Sequence, residues 1–374
     1  MTGRRAILLL AHGTPDVLSE MAEYLRLVTG GRPLPDSVVE ELQHRYGEIG
    51  LSEERGDEPP PLTRWTVLQA AMLEAAFPRF STEQPRVYVG MRNWHPFIAD
   101  TVEEMRRDGV ASIQAICLAP QNSRTSVGLY RRAILKAAAA TETAPAIPVE
   151  FVAGWSGSPR LALAFAERMW PAWAEACAKT GRRVPVLFTA HSVPCRTIRS
   201  GTADAPVRTD RPTPADGLQA YDERVAPDPY PVECKATAAA VAGVLGAVGM
   251  TDADWYFAFQ SQGVAGAPWI GPSVEDTLKA LAAEGHTAVV LQPIGFLCDH
   301  VEILYDIDIA FKQTAAELGM ELTRAESLND SPTLIQALVE VSTGVFAAQV
   351  DEPPVDADPA AATGRPAQAA AVTA

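Results

Sequence analysis

Residues 4–15 read RRAILLLAHGTP, and residues 184–194 read VPVLFTAHSVP. Each is a short apolar run that stops at Ala-His and then turns on a phrase closing in proline. A hydrophobic run this short, without polar alternation, suits a strand of a parallel sheet covered on both faces. Six more runs share the pattern, at 86–92, 112–119, 148–155, 254–260, 288–296 and 321–327. Amphipathic segments lie between them, among them 100–108, 159–180, 231–248, 274–284 and 309–318. Alternating strands and helices predict a doubly wound α/β architecture.

The eight runs divide into two sets of four, offset from one another by 168–179 residues, and each set opens on the related phrase, AHGTP at 11–15 and AHSVP at 190–194. The pattern predicts two similar doubly wound domains, each with a four-stranded parallel sheet flanked by helices. The expected boundaries are 1–147 and 148–331, with a polar, Pro/Gly/Asp-rich surface insertion at 196–226. A last helix at 332–349 is expected to pack back on the first domain. Residues 350–374, rich in Ala and Pro and without an aromatic, are expected to be a disordered tail. The default ligand site of such a fold is the cleft at the carboxyl ends of the strands, here between the two domains.

The chain has 374 residues, 47% of them hydrophobic, and a net charge of −15 from 46 acidic against 31 basic side chains. That balance disfavours non-specific binding to nucleic acid or anionic lipid and leaves cationic ligands, metal ions and local basic pockets open. The five cysteines (117, 177, 195, 234 and 298) are scattered and form no C-x-x-C, so neither a disulfide framework nor a zinc ribbon is indicated. The N-terminal apolar run, Ala6 to Ala11, is too short for a signal sequence. No apolar stretch approaches a membrane span, so a cytoplasmic chain without an integral membrane segment is expected. P-loop, dinucleotide, HExxH and GxSxG signatures are absent.

Two of the six histidines, His12 and His191, end predicted strands, where this fold places functional groups. A buried histidine bonded to backbone is the plainer alternative. In GFLCDHVEILYDIDIAF, 295–311, the residues Asp299, Glu302 and Asp306 share one face of a helix. Like charges so placed repel unless solvated or occupied by a cation. A helix cap at Asp299 reads the same spacing equally well. A third stretch, 260–272, begins at Gln260 and holds Trp269 among glycines and prolines; it suits a planar ligand, or Trp269 is a core anchor.

Together these places resemble the ferrochelatases, the class II chelatases that insert Fe²⁺ into a porphyrin. The phrases that carry the resemblance are AHGTP (11–15), HRYGEIG (44–50), VGMRNWHPFI (89–98), LAP (118–120), TAHSVP (189–194), DPYP (228–231), QSQG with PWIGP (260–272) and GFLCDHVEILYDID (295–308). They occur in the family's order over roughly residues 5–345.

The resemblance implies that His191 and Glu302 are catalytic and that His191, Glu302 and Asp306 bind metal. An imidazole of near-neutral pKa takes a pyrrole proton or ligates the metal, and a carboxylate beside it offsets the metal's charge. It further implies substrate contacts from His12, Arg32, Arg45, Tyr46, Tyr130, Gln260 and Trp269, the arginines pairing with propionates. Asp299, Glu302, Asp306 and Asp308 would form an acidic approach for the dication. Several positions depart from the family: His12 stands where many bacterial members have Tyr, Gly30-Gly31 where arginines are common, and Ala310 where the acidic column often continues. The implied substrates are ferrous iron and coproporphyrin III or protoporphyrin IX, giving a haem. No cofactor beyond Fe²⁺ as substrate and no [2Fe–2S] cluster is expected. The expected partners are a transient member of the haem pathway and no nucleic acid. The alternatives are a cobalt or nickel chelatase for another tetrapyrrole, and a non-catalytic porphyrin or haem carrier.

Overall fold

In the computed structural model, which describes residues 4–78, 84–195, 228–262 and 268–351, RRAILLLA is strand β1, Arg4–Ala11. Its two arginines are exposed and the six residues after them are buried, as a strand covered on both faces requires. β2 (Arg86–Met91), β3 (Val110–Cys117) and β4 (Val149–Gly154) complete the parallel part of the first sheet. The second sheet holds β5 (Val186–His191), β6 (Trp255–Gln260), β7 (Ala288–Pro293) and β8 (Glu321–Arg324), all parallel. The orders are β2-β1-β3-β4 and β6-β5-β7-β8, the same path traced twice. Both sheets thus change winding direction at their opening strand, so the ends of β1 and β5 lie at the switch points where ligands bind.

The helices are α1 (Met21–Val28), α2 (Asp36–Glu48), α3 (Pro61–Ala76), α4 (Ile98–Arg107), α5 (Val127–Ala138), α6 (Pro159–Thr180), α7 (Tyr230–Leu245), α8 (Val274–Ala283), α9 (Val301–Leu304), α10 (Lys312–Glu317) and α11 (Pro332–Thr343). Residues Tyr230–Val248 are long and apolar enough by composition to cross a membrane, which the sequence pattern did not signal; 44% of that stretch is buried here. Cys234, Ala238, Val241 and Leu245 of α7 instead enter the core beneath the second sheet.

Three expectations are corrected. The first sheet has a fifth strand, β9 (Gln349–Asp351), antiparallel to β4, in what was read as the start of the tail. The last helix ends at Thr343, not 349, because Gly344 takes a left-handed turn (φ 75°) that closes it and frees the chain to reach the edge of β4. The two sheets also share one core. Ile7, Leu9, Ile116 and Val152 of the first belong to the same buried cluster as Val186, Phe188 and Val290 of the second. α6 joins them with Leu161, Phe165, Met169 and Trp173, and α11, packed on both α3 and α6, closes the seam. Residues 196–227, with the predicted insertion, 263–267, and those from 352, with most of the predicted tail, lie outside the described residues.

Candidate active site

The carboxyl ends of β1, β2, β3 and β5, with the segments after β7, enclose a cleft of about 350 Å³. Its size is that of a small-molecule site. His12, Tyr46, Tyr130, His191 and Glu302 line it, so five of the ten predicted site residues meet there. The other five, Arg32, Arg45, Gln260, Trp269 and Asp306, are not part of its wall.

His191 closes β5. Its Nδ1 is in close contact with the Ser192 carbonyl, which accepts only, so Nδ1 carries the ring proton. Nε2 lies 3.1 Å from Glu302 Oε1. It is nevertheless a buried atom without a partner at hydrogen-bonding angle. Burial opposes a charge on this ring, but the Glu302 carboxylate outweighs it and raises the pKa above its ordinary 6.5. Burial also opposes ionisation of Glu302, and the imidazoles of His191 and His300 outweigh it, holding the carboxyl well below its usual 4.5. Glu302 Oε2 accepts from His300 Nε2 at 3.1 Å, while His300 Nδ1 faces the Cys298 carbonyl at 2.9 Å. One carboxylate therefore sits between two imidazoles.

Glu302 owes its place to an irregular helix. α9 is only one turn long and passes through Tyr305 into a π-turn, Asp306–Phe311, before α10. The Ala310 N–H reaches back five residues to the Tyr305 carbonyl at 3.0 Å. The wider turn replaces the regular helix face expected for the acids. They also divide in function. Asp299 does not cap α9; its carboxylate contacts Arg324, Ser327 and Asn329. Asp308 pairs with Arg324 and Lys312. Neither is a free acid on an approach for a dication. Asp306 accepts from the Ser261 hydroxyl and lies 3.6 Å from Arg45. Burial, helped by the charge of Glu302, raises its pKa above 3.8.

Arg45 is thereby committed to Asp306, to Glu41 at 3.0 Å and to the face of Tyr305, rather than to the cleft. Arg32 is exposed, with Nε donating to the Thr29 carbonyl. Trp269 is half-buried on the bridge to Pro194. Gln260 is buried at the end of β6; it accepts from the Thr189 hydroxyl at 2.6 Å and donates to the Glu302 backbone carbonyl at 2.9 Å. It holds Glu302 rather than touching the cleft.

His12 behaves unlike His191. Asn93 Nδ2, an amide donor, lies 2.9 Å from its Nε2, and Nδ1 faces the Gly13 carbonyl at 3.2 Å. Both contacts suit the neutral ring with its proton on Nδ1. Burial, then the charge of Arg92, lowers its pKa to about 4. His12 is thus an uncharged wall whose lone pair is already used. Burial pushes Tyr46 up to about 12 and also raises Tyr24 and Tyr130, so all three phenols stay neutral.

Three cleft-side residues were missed in the sequence. His300 lies inside the phrase that supplied Glu302. Arg92 and Asn93 follow β2, and the strand-end rule that picked out His12 and His191 applies to them equally. Arg92 lines the cleft over the Tyr130 ring at 5.5 Å. Its Nε is buried without a hydrogen-bond partner, and it forms no ion pair with a carboxylate among the described residues. No cluster of three or more His, Cys, Asp or Glu side chains arranged to hold a metal occurs among the described residues.

The ferrochelatase family model matches residues 4–344. A ferrochelatase of Acidobacterium capsulatum is 51% identical over 95% of this chain and 98% of its own length. A coproporphyrin III ferrochelatase of Geobacillus kaustophilus is 32% identical over 90% of this chain and 94% of its own. Among solved structures, SirB from Bacillus subtilis with Fe³⁺ covers 92% of this chain and 98% of its own, at 12% identity and a TM-score of 0.46. With a family match over nearly its whole length and a relative sharing half its residues, the chain belongs to the ferrochelatase family and is a metal chelatase of haem biosynthesis that inserts iron into a porphyrin.

Proposed function

We propose that His191 and Glu302 form the pair through which the iron enters and the pyrrole protons leave. The observation that carries this is the His191 Nε2 atom, buried, turned toward Glu302 and without a hydrogen-bond partner. Before iron arrives, a proton on Nε2 places a positive ring 3.1 Å from the carboxylate and balances its charge. When that proton is lost, the Nε2 lone pair and the carboxylate oxygen offer an imidazole and an oxygen donor to Fe²⁺. The overall change is Fe²⁺ plus porphyrin giving haem and two protons. Once Nε2 has passed the metal on, His191 takes one pyrrole proton at that nitrogen and the Glu302 carboxylate, 3.1 Å away, takes the other, and both then leave to solvent. His12, neutral and bonded to Asn93, shapes the pocket without competing for the metal.

Arg92 is the propionate anchor in this reading, in place of Arg45. A guanidinium lining a cleft without a carboxylate partner suits a carboxylate-bearing ligand. Arg92→Met is expected to raise KM for porphyrin about tenfold, the loss of one charge-assisted hydrogen bond. KM for Fe²⁺ should stay as it was. An unchanged porphyrin KM removes Arg92 from this role.

The direct test is anaerobic Fe²⁺ insertion followed by the loss of porphyrin fluorescence, with coproporphyrin III and protoporphyrin IX side by side. Turnover of at least one is expected, and the ratio of the two kcat/KM values assigns the substrate. Relatives that carry the coproporphyrin name make that porphyrin the first to try. Failure with both would overturn the reading.

A further inference from the structure

Arg324 ends β8, registered against Leu291 of β7, and its side chain is only 14% exposed. Its nitrogens divide between two acids. Nη1 lies 3.2 Å from Asp299 Oδ1, Nε lies 3.0 and 2.9 Å from the two Asp308 oxygens, and Nη2 lies 2.8 Å from Asp308 Oδ2. Asp299 is held further by Ser327 Oγ at 2.6 Å, by Asn329 Nδ2 at 2.9 Å, and through its own N–H to Asn329 Oδ1 at 2.9 Å. Between residues 299 and 308 lie His300, Glu302 and Asp306, with the passage from α-turn to π-turn.

We propose that Arg324 is a positioning residue for metal insertion, bridging Asp299 and Asp308 so as to clamp both ends of the segment that presents His300 and Glu302 to His191. The proposal rests on the assignment of Glu302 to the reaction given above. A π-turn spaces its residues differently from an α-turn, so with the chain beyond it held at Asp308, a slip back to α-helical register would rotate the one-turn α9 that precedes it and carries Glu302. Arg324 opposes that slip because its anchor belongs to the sheet and not to the helix. Its planar fork reaches two carboxylates at once, which a single ammonium cannot copy. The role also explains why two acids beside the metal pair are withdrawn from the cleft: they are the handles of the clamp.

The test uses Arg324→Lys, which keeps the cation and loses the fork, and the neutral set Arg324→Met with Asp299→Asn and Asp308→Asn, which loses the clamp and leaves only the half-exposed Lys312 without its partner Asp308. Thermal midpoints, kcat and the separate KM values for Fe²⁺ and porphyrin are measured for both. Arg324→Lys should keep its thermal midpoint near that of the wild type, lower kcat/KM for Fe²⁺ about tenfold and leave the porphyrin KM unchanged. The neutral set should show the same loss. In a Glu302→Gln background the further cost of Arg324→Lys should fall below about twofold, since both changes act through one carboxylate. Equal cost in the two backgrounds, or wild-type Fe²⁺ kinetics in Arg324→Lys, would overturn the proposal. Loss of the Fe²⁺ dependence on Glu302 itself would instead overturn the earlier reading on which it rests.

Discussion

His191→Ala is expected to lower kcat for metal insertion by about 10³-fold, within the range for removing a positioned acid–base group. Porphyrin affinity, read from fluorescence quenching, should change little. Two roles vanish together in this variant, the metal-facing nitrogen and the first proton acceptor, and no neighbour replaces either. His300 cannot swing in, because both its ring nitrogens face acceptors, Cys298 O and Glu302 Oε2. His12 cannot either, because Asn93 uses its lone pair and its pKa lies at about 4. Turnover within tenfold of the wild type would remove His191 from the mechanism.

Glu302→Gln should cost about 10²-fold or more in kcat and also move the pH profile. In the wild type the carboxylate holds the His191 pKa above 6.5. Metal ligation needs the neutral ring, so kcat/KM for Fe²⁺ rises with pH as His191 loses its proton, on a limb displaced above the ordinary histidine range. Glutamine keeps the shape and removes the charge. Burial, which lowers the His191 pKa, is then opposed only by the Ser192 carbonyl contact and the charge of Asp306. The acid limb of the residual activity should therefore shift to lower pH. A limb that stays in place would show that another group sets it.

The strands and their repetition were legible because a two-faced parallel strand must be apolar along its length, and RRAILLLA and VLFTA say so without help from neighbours. The ends of those strands, and with them His12 and His191, followed from the fold. The partners of the acids were not legible. Asp299 and Asp308 differ from Glu302 only in what surrounds them, and Arg324 lies 16 residues beyond the nearer of the two. The π-turn escaped for a related reason, since Asp306–Phe311 carries no residue that forbids an ordinary helix. Arg45 was expected at the cleft from the resemblance in HRYGEIG, and such a phrase gives a residue's place on the chain but not the direction of its side chain, which here goes to Asp306 and Glu41. β9 was missed because a three-residue edge strand is too short to show a period, and Gln349–Asp351 runs straight into the Pro- and Ala-rich tail.

The shared core has a mechanical consequence. Enzymes of two domains often close by rigid-body rotation about a thin waist. Here Leu9 and Ile116 lie in one close-packed interior with Phe188 and Val290, and such a rotation would shear it. The strand ends therefore form a stiff frame. Room for a flat macrocycle is then expected to come from the chain laid over that frame, residues 49–60, where the cleft wall is loop rather than strand. A porphyrin held in so stiff a frame is therefore expected to yield before the frame does, a change of shape that resonance Raman bands of the bound ring would report.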